Sequence, residues 1–225
     1  MKKTLLALTI VVAATASGFA QGNVFFNNGN TSKISTNTAV GGAALATDIT
    51  FANSGLGNPN YYYALFYSVA ATTVNGSAAA RLGTNGAAYI MSDATWTQAA
   101  IGTNTGTAGR FASTTADGTS TTSIGNVPSA HFVVVGWSAN IGSTTAALAT
   151  YLAGPAFNGW VGQSVVSGVI TTGISGSTPT AAIFGTAAGL VNPFVLGLVT
   201  PVPEPATMAL AGLGGLAMLA LRRKK

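Results

Sequence analysis

Few side chains of this sequence could do acid–base chemistry. His131 is the single histidine, and Asp48, Asp93 and Asp117 are the carboxylates between residues 21 and 201. A serine triad would have to use His131, because it needs a serine, a histidine and a carboxylate in mutual hydrogen-bonding geometry. None of the many serines lies in a G-x-S-x-G segment. We therefore expect His131, at the head of an apolar run, to have a structural role.

The three aspartates leave a small polysaccharide hydrolase as one alternative function. Two carboxylates can flank a glycosidic bond, one as acid and the other as base or nucleophile. The spacing gives this no support, since Asp117 precedes a glycine and Asp93 stands at a predicted helix start. The chain also has no cysteine, which excludes thiolate metal sites and disulfides. We expect no catalytic residue, no metal site, no cofactor and no enzymatic activity.

Aromatic side chains could instead bind sugars by stacking against their rings. The candidates are Trp96, Trp137, Trp160 and the three tyrosines at 61–63. Aromatic residues in strands more commonly fill a core. A glycan-binding module is therefore a second alternative, and it depends on how exposed these rings are.

The elements that position these residues are predicted to be mainly strands. Short runs of Thr, Val, Tyr and Phe alternate with turn-forming Gly, Asn, Ser and Pro. The predicted strands are 23–27, 47–52, 61–70, 87–91, 109–114, 131–138, 165–171 and 181–184. Two short helices are predicted at 94–101, capped by Asp93, and at 144–152, capped by Ser143. The Gly- and Thr-rich stretch 102–122 is predicted to be a loop.

The tyrosine-rich strand indicates how the sheet is buried. Alternation along 61–69 places Tyr61, Tyr63 and Leu65 on one side and Tyr62 and Phe66 on the other, so both faces are apolar. This is typical of a central strand. The predicted fold is mainly β, a single antiparallel β-sandwich-like domain over residues 21–201 with a signal peptide before it and a transmembrane helix after it.

Residues 202–225 form a tail with three distinct parts. They are Val202-Pro203-Glu204-Pro205, the uncharged run 206–221, and the basic residues Arg222, Arg223, Lys224 and Lys225. As a helix, 206–221 would extend about 24 Å, a little less than a bilayer core of about 30 Å. The basic side chains can extend toward the headgroups and offset this shortfall. We predict a transmembrane helix over 206–221 with its basic end on the cytoplasmic side.

This order of parts closely resembles the PEP-CTERM sorting signal of exported proteins in Gram-negative bacteria. In that family an exosortase, a membrane transpeptidase, is thought to recognise the Pro-Glu-Pro and process the tail, often in bacteria that make exopolysaccharide. The resemblance implies that Pro203, Glu204 and Pro205 are recognition residues and that an exosortase is a partner. It covers about a tenth of the chain. An ordinary membrane anchor with a proline hinge is the alternative.

The first residues predict export as well. Lys2 and Lys3, an apolar core and then small residues are typical of a secretory signal peptide over 1–20, with cleavage after Ala20. We therefore expect signal peptidase and the general secretion machinery as partners. We predict that the protein is exported across the cytoplasmic membrane and is transiently anchored there by the helix. It then reaches the envelope surface or the extracellular matrix. Extracellular polysaccharide is a further candidate partner at that location.

The distribution of charge argues against nucleic-acid binding. The net charge of +5 comes entirely from Lys2, Lys3 and the four basic tail residues, less Glu204. Residues 21–201 are neutral and offer no basic stripe to a phosphate backbone. The leading interpretation is a non-enzymatic exported protein that is sorted through its tail.

Overall fold

The structure is a computed structural model, and it describes residues 22–29, 31–37, 61–75, 90–107, 109–113, 120–154, 156–174, 180–201 and 213. Strands predominate in this part of the chain. They are β1 (Gly22–Phe25), β2 (Ser35–Asn37), β3 (Tyr61–Ser68), β4 (Thr97–Asn104), β5 (Phe111–Ser113), β6 (Thr121–Ser123), β7 (Ser129–Ser138), β8 (Gly159–Gln163), β9 (Ile170–Thr171), β10 (Gly173–Ile174), β11 (Ala181–Ala182) and β12 (Val195–Val199). Helix α1 covers Thr145–Ala153, and short 3-10 helices cover Ile90–Ser92 and Ala139–Ile141.

The strands form a large sheet and a small one. The large sheet has the order β2-β12-β8-β7-β3-β4-β5, with β9 also paired to β7. Its pairs are antiparallel except for β2 with β12. In the small sheet β1 pairs with β6, β10 and β11, and only the β11 pairing is parallel. The mainly β prediction is confirmed.

The two sheets are continuous at their edges. Asn27, just after β1, forms a bridge with Ala112 of β5, and only Thr172 separates β9 from β10. As a result the sheet curls around an enclosed core and does not form two independent layers. The predicted sandwich is therefore correct only in part.

Strand β3 lies at the centre, between β4 and β7. Tyr61, Tyr63 and Leu65 pack in the core enclosed by the two sheets. Ala64 and Phe66 pack in a second core on the opposite face, which α1 and the 3-10 helix Ile90–Ser92 cover. The predicted two-sided burial of this strand is confirmed.

Helix α1 is present where the sequence predicts it, but its cap is one residue later. Thr144 is the N-cap, and its hydroxyl accepts a hydrogen bond from the Ala147 amide at 3.2 Å, so the predicted cap Ser143 is wrong. The helix ends before Gly154-Pro155, because proline cannot continue it. Leu148 and Tyr151 are its buried residues and face the sheet.

The predictions for 87–122 are mostly wrong. Strand β4 replaces the helix predicted at 94–101, because its residues pair with β3 and tertiary pairing outweighs local preference. The described end of the strand predicted at 87–91 is a 3-10 helix. The predicted loop 102–122 contains the end of β4, the whole of β5 and the start of β6. Strand β5 lies within the strand predicted at 109–114. Threonine explains part of this error, since its branched side chain favours strands.

Only the last two residues of the strand predicted at 165–171 form a strand, β9, because an irregular stretch precedes them. Ser164 pairs with Val134 of β7, and Ser167 pairs with Phe132 of β7. In each pair the serine backbone amide donates to the β7 carbonyl, and the serine hydroxyl accepts from the β7 amide. The Ser167 hydroxyl accepts from the Phe132 amide at 2.8 Å. A side-chain oxygen takes the place of a backbone carbonyl here, so regular pairing resumes only at β9.

Some predicted elements lie outside the described residues. They are the strand at 47–52, the signal peptide at 1–20 and, except for Leu213, the transmembrane helix at 206–221. Within the described ranges, no helix is long and apolar enough to cross a membrane. Strands β2, β8, β10 and β12 were not predicted, because they are short and three of them contain glycine.

Candidate functional site

The tail starts from a strand inside the large sheet. Strand β12 lies between β2 and β8, and its last residue, Val199, pairs with Gly159. Thr200 and the exposed Pro201 follow, and the tail begins at Val202. Strand β12 pairs with β2 over Val195–Gly197 and with β8 over Gly197–Val199, so pairing with β8 fixes the position at which the tail leaves the domain.

Tyr151 of α1 holds this end of β12. Its hydroxyl oxygen lies 3.1 Å from the carbonyl oxygen of Val199 and 2.9 Å from that of Phe157. Both carbonyls can only accept, so they share the single hydroxyl proton. Burial raises the pKa of Tyr151, and a backbone hydrogen bond with Gly159 only partly opposes this. The hydroxyl is therefore protonated at neutral pH and can donate.

Among the residues that the structure describes, one aromatic side chain is exposed. It is Phe157, with 43% of its surface accessible. Its ring packs against that of Tyr151, with centroids 5.1 Å apart. The backbone carbonyl of the next residue, Asn158, accepts a hydrogen bond from the side-chain amide of Asn140 at 2.8 Å. We call Phe157, Asn158 and Pro201 the exit face, since they are exposed, uncharged and adjacent to the paired residues Gly159 and Val199.

His131 has a structural hydrogen bond at the other end of the sheet. It is 9% exposed, and its Nδ1 lies 2.9 Å from the carbonyl oxygen of Ser167. Because that oxygen can only accept, Nδ1 carries a proton. The Ser167 hydroxyl is bonded to the Phe132 amide and to the Gly168 carbonyl. These contacts orient the histidine and the serine for packing and do not form a nucleophile–base pair.

Asp93 is held by a local turn. Its carboxylate accepts hydrogen bonds from the Thr95 hydroxyl at 2.6 Å, from the Thr95 amide at 3.0 Å and from the Asn75 amide at 2.7 Å. Burial alone would raise the pKa of Asp93, but these bonds outweigh it and hold the pKa below its usual value. Asp48 and Asp117 lie outside the described residues. Where the structure does describe the chain, no three His, Cys, Asp or Glu side chains come together.

The aromatic residues considered for sugar binding are mostly in the core. Trp137, Tyr63, Tyr61 and Trp96 are between 0% and 6% exposed. The indole nitrogens of Trp96 and Trp137 donate to the backbone carbonyls of Thr73 and Gly142. Tyr62 and Trp160 are half-buried, and Tyr62 stacks on Trp137. These rings hold the sheet to its covering elements and do not form an exposed row.

The predicted sorting residues lie outside the described part of the chain. They are Pro203, Glu204, Pro205, Arg222, Arg223, Lys224 and Lys225. What the structure adds is the place from which their segment starts. Sequence reasoning did not find Tyr151, because its contact with Val199 spans 48 residues and no local pattern announces it.

Comparison with known proteins assigns the tail. Residues 201–224 match the family model described as the PEP-CTERM protein-sorting motif. No curated protein and no solved structure matches the chain. The match therefore identifies the sorting signal, while the β domain is interpreted from its own geometry.

Proposed function

We propose that this chain, a PEP-CTERM domain-containing protein, is a non-enzymatic protein of the envelope surface or extracellular matrix. The motif at residues 201–224 indicates an exported, envelope-associated protein that is processed by an exosortase, a membrane protein. That match is the observation that carries the proposal. The β domain is the exported cargo, and the tail determines where it is delivered.

The point from which the tail starts supports processing by an exosortase. Val199 is fixed in the sheet and by Tyr151, so the hinge starts from a defined point. We expect Pro201, Pro203 and Pro205 to favour an extended chain after this point, because proline and the residue before it disfavour helix. An exosortase would meet Pro203-Glu204-Pro205 in an extended segment next to the membrane.

The anchoring step uses the two remaining parts of the tail. The uncharged run 206–221 would insert as a helix, and Arg222 to Lys225 would remain on the cytoplasmic side. The signal peptide at 1–20 would bring the domain to the opposite side. Processing at the Pro-Glu-Pro would then break the peptide bond to the anchor and pass the new carboxyl end of the domain to an acceptor amine or to water.

A role without catalysis is supported by what His131 and Asp93 do. Both side chains are engaged in hydrogen bonds with the backbone, His131 with Ser167 and Asp93 with Asn75 and Thr95. The glycan-binding alternative has less support, because its candidate tryptophans and tyrosines are largely buried. A hydrolase would have to combine two of the three aspartates Asp48, Asp93 and Asp117.

The proposal is tested by the fate of a Glu204→Ala variant in cells that contain the cognate exosortase. The wild-type chain and a Thr200→Ala control, which changes the hinge outside the motif, should be processed and leave the membrane fraction. Glu204→Ala should remain unprocessed in that fraction. Processing of Glu204→Ala like the wild type would remove the sorting proposal. Polysaccharide cleavage that is lost in a folded Asp93→Asn variant would favour the hydrolase.

A further inference from the structure

We infer that the exit face (Phe157, Asn158 and Pro201) rests on the lipid headgroups while the tail is anchored. This rests on the proposed function, because it takes 206–221 to be in the bilayer. The occupant of the exit face is thus the lipid surface of the membrane that holds the tail.

The length of the connection forces the domain close to the membrane. Thr200 to Ala206 is seven residues, and an extended chain gains at most about 3.6 Å per residue, so Ala206 lies within about 25 Å of Val199. The headgroup layer occupies about 5 to 8 Å of this distance. A domain of roughly 180 residues has a diameter of about 40 Å. Val199 therefore lies no farther from the headgroup surface than about half the diameter of the domain.

The position of Val199 selects which side of the domain faces the lipid. Val199 pairs with Gly159, so the residues leaving β12 emerge beside those that enter β8, which include Phe157 and Asn158. Tyr151 fixes both segments through the Val199 and Phe157 carbonyls. The exit face is thus held rigidly at the point where the tether begins.

The chemistry of the exit face suits a headgroup layer. An exposed phenylalanine ring can leave water at the boundary between headgroups and acyl chains, where interfacial segments bury Trp, Phe and Leu. The exposed residues leading into it, Ala153, Gly154 and Ala156, carry no charge. Asp93 lies at the opposite end of the sheet, just before β4 begins opposite Tyr67. Its carboxylate is therefore kept away from the phosphates.

The observations favour lipid over a protein partner for the exit face. A stable protein interface buries about 1,200 to 2,000 Å² in total, whereas one aromatic side chain supplies at most about 250 Å². The tether keeps the exit face near lipid whether or not an exosortase is present. One ring is therefore enough to orient a domain that is already confined.

The absence of cysteine allows a direct test with single introduced thiols. Asn158→Cys places a label on the exit face. Val69→Cys is the matched control, since Val69 is 64% exposed and directly follows β3 at its far end. Eight residues of β3 separate the two ends of the sheet by about 25 Å. Each full-length variant is labelled with a fluorophore and incorporated into phosphatidylethanolamine/phosphatidylglycerol vesicles that contain headgroup spin-labelled lipid.

We expect the Asn158 label to be quenched severalfold more strongly than the Val69 label, and Phe157→Ser to reduce this difference. Protease protection of the tail is measured on the same vesicles. A protected tail with equal quenching at both positions would overturn the inference and leave the proposed function intact. An unprotected tail would overturn both. Preferential quenching that requires added exosortase would assign the exit face to that protein and overturn the lipid assignment.

Discussion

The hydroxyl oxygen of Tyr151 lies 3.1 Å from the carbonyl oxygen of Val199, the last residue of β12. This contact joins helix α1 to the strand from which the tail emerges. The same hydroxyl contacts the Phe157 carbonyl at 2.9 Å, so one side chain holds both segments of the exit face. The point at which the tail leaves the domain is therefore held in place by the packing of α1.

Replacing Tyr151 by phenylalanine should destabilise the domain. The variant keeps the buried ring but removes the donor shared by the Val199 and Phe157 carbonyls, which we expect to cost about 1 to 2 kcal/mol. Urea unfolding of the purified protein measures this. Tyr62→Phe is the control, because the half-buried Tyr62 ring stacks on Trp137 and that stacking survives. Equal stability of the two variants would contradict the role given to Tyr151.

Stability should decline in alkaline solution. Burial raises the pKa of Tyr151, and burial together with the nearby Tyr61 raises that of Tyr63 well above 10.0. The folded protein holds these protons more tightly than the unfolded chain, so their contribution is complete below about pH 10 and is lost as the pH rises toward the folded-state pKa values. Melting temperatures from about pH 8 to about pH 11 test this. A flat profile, or an equal decline in Tyr151→Phe, would contradict the assignment to Tyr151.

Gly136 and Gly197 should respond very differently to alanine. At Gly136 of β7 a methyl carbon would lie 2.9 Å from both the Tyr63 ring and a Leu196 methyl carbon. We expect Gly136→Ala to cost about 1 to 3 kcal/mol, because the core must shift. At Gly197 of β12 the nearest atom would be 4.0 Å away, so Gly197→Ala should change stability by less than about 0.5 kcal/mol. Denaturant unfolding of both variants measures the contrast.

The sequence predicted the features that local patterns encode. Alternation along β3 identified a central strand, because residues two apart share a face. The segment of α1 was also correct, since its apolar residues are followed by Gly154-Pro155. The sorting motif is another contiguous pattern, and the family match at 201–224 confirms that interpretation.

The errors arose where distant contacts decide the structure. Asp93 does accept hydrogen bonds at the start of the helix predicted at 94–101, but pairing with β3 makes the following residues a strand. The serine-mediated pairing of Ser164 with Val134 could not be foreseen, because it depends on a partner 30 residues away. The contact between Tyr151 and Val199 is of the same kind. Residues that hold the start of the tail are therefore visible only in the structure.

The central claim is that this protein is exported cargo whose tail is processed at Pro203-Glu204-Pro205. The most direct measurement is the intact mass of the protein recovered from the cell envelope, with and without the exosortase. We predict a mass from which residues 1–20 and the apolar and basic parts of the tail are missing when the exosortase is present, and an uncleaved tail when it is absent. An uncleaved tail in both strains, or the same cleavage in both, would contradict the claim.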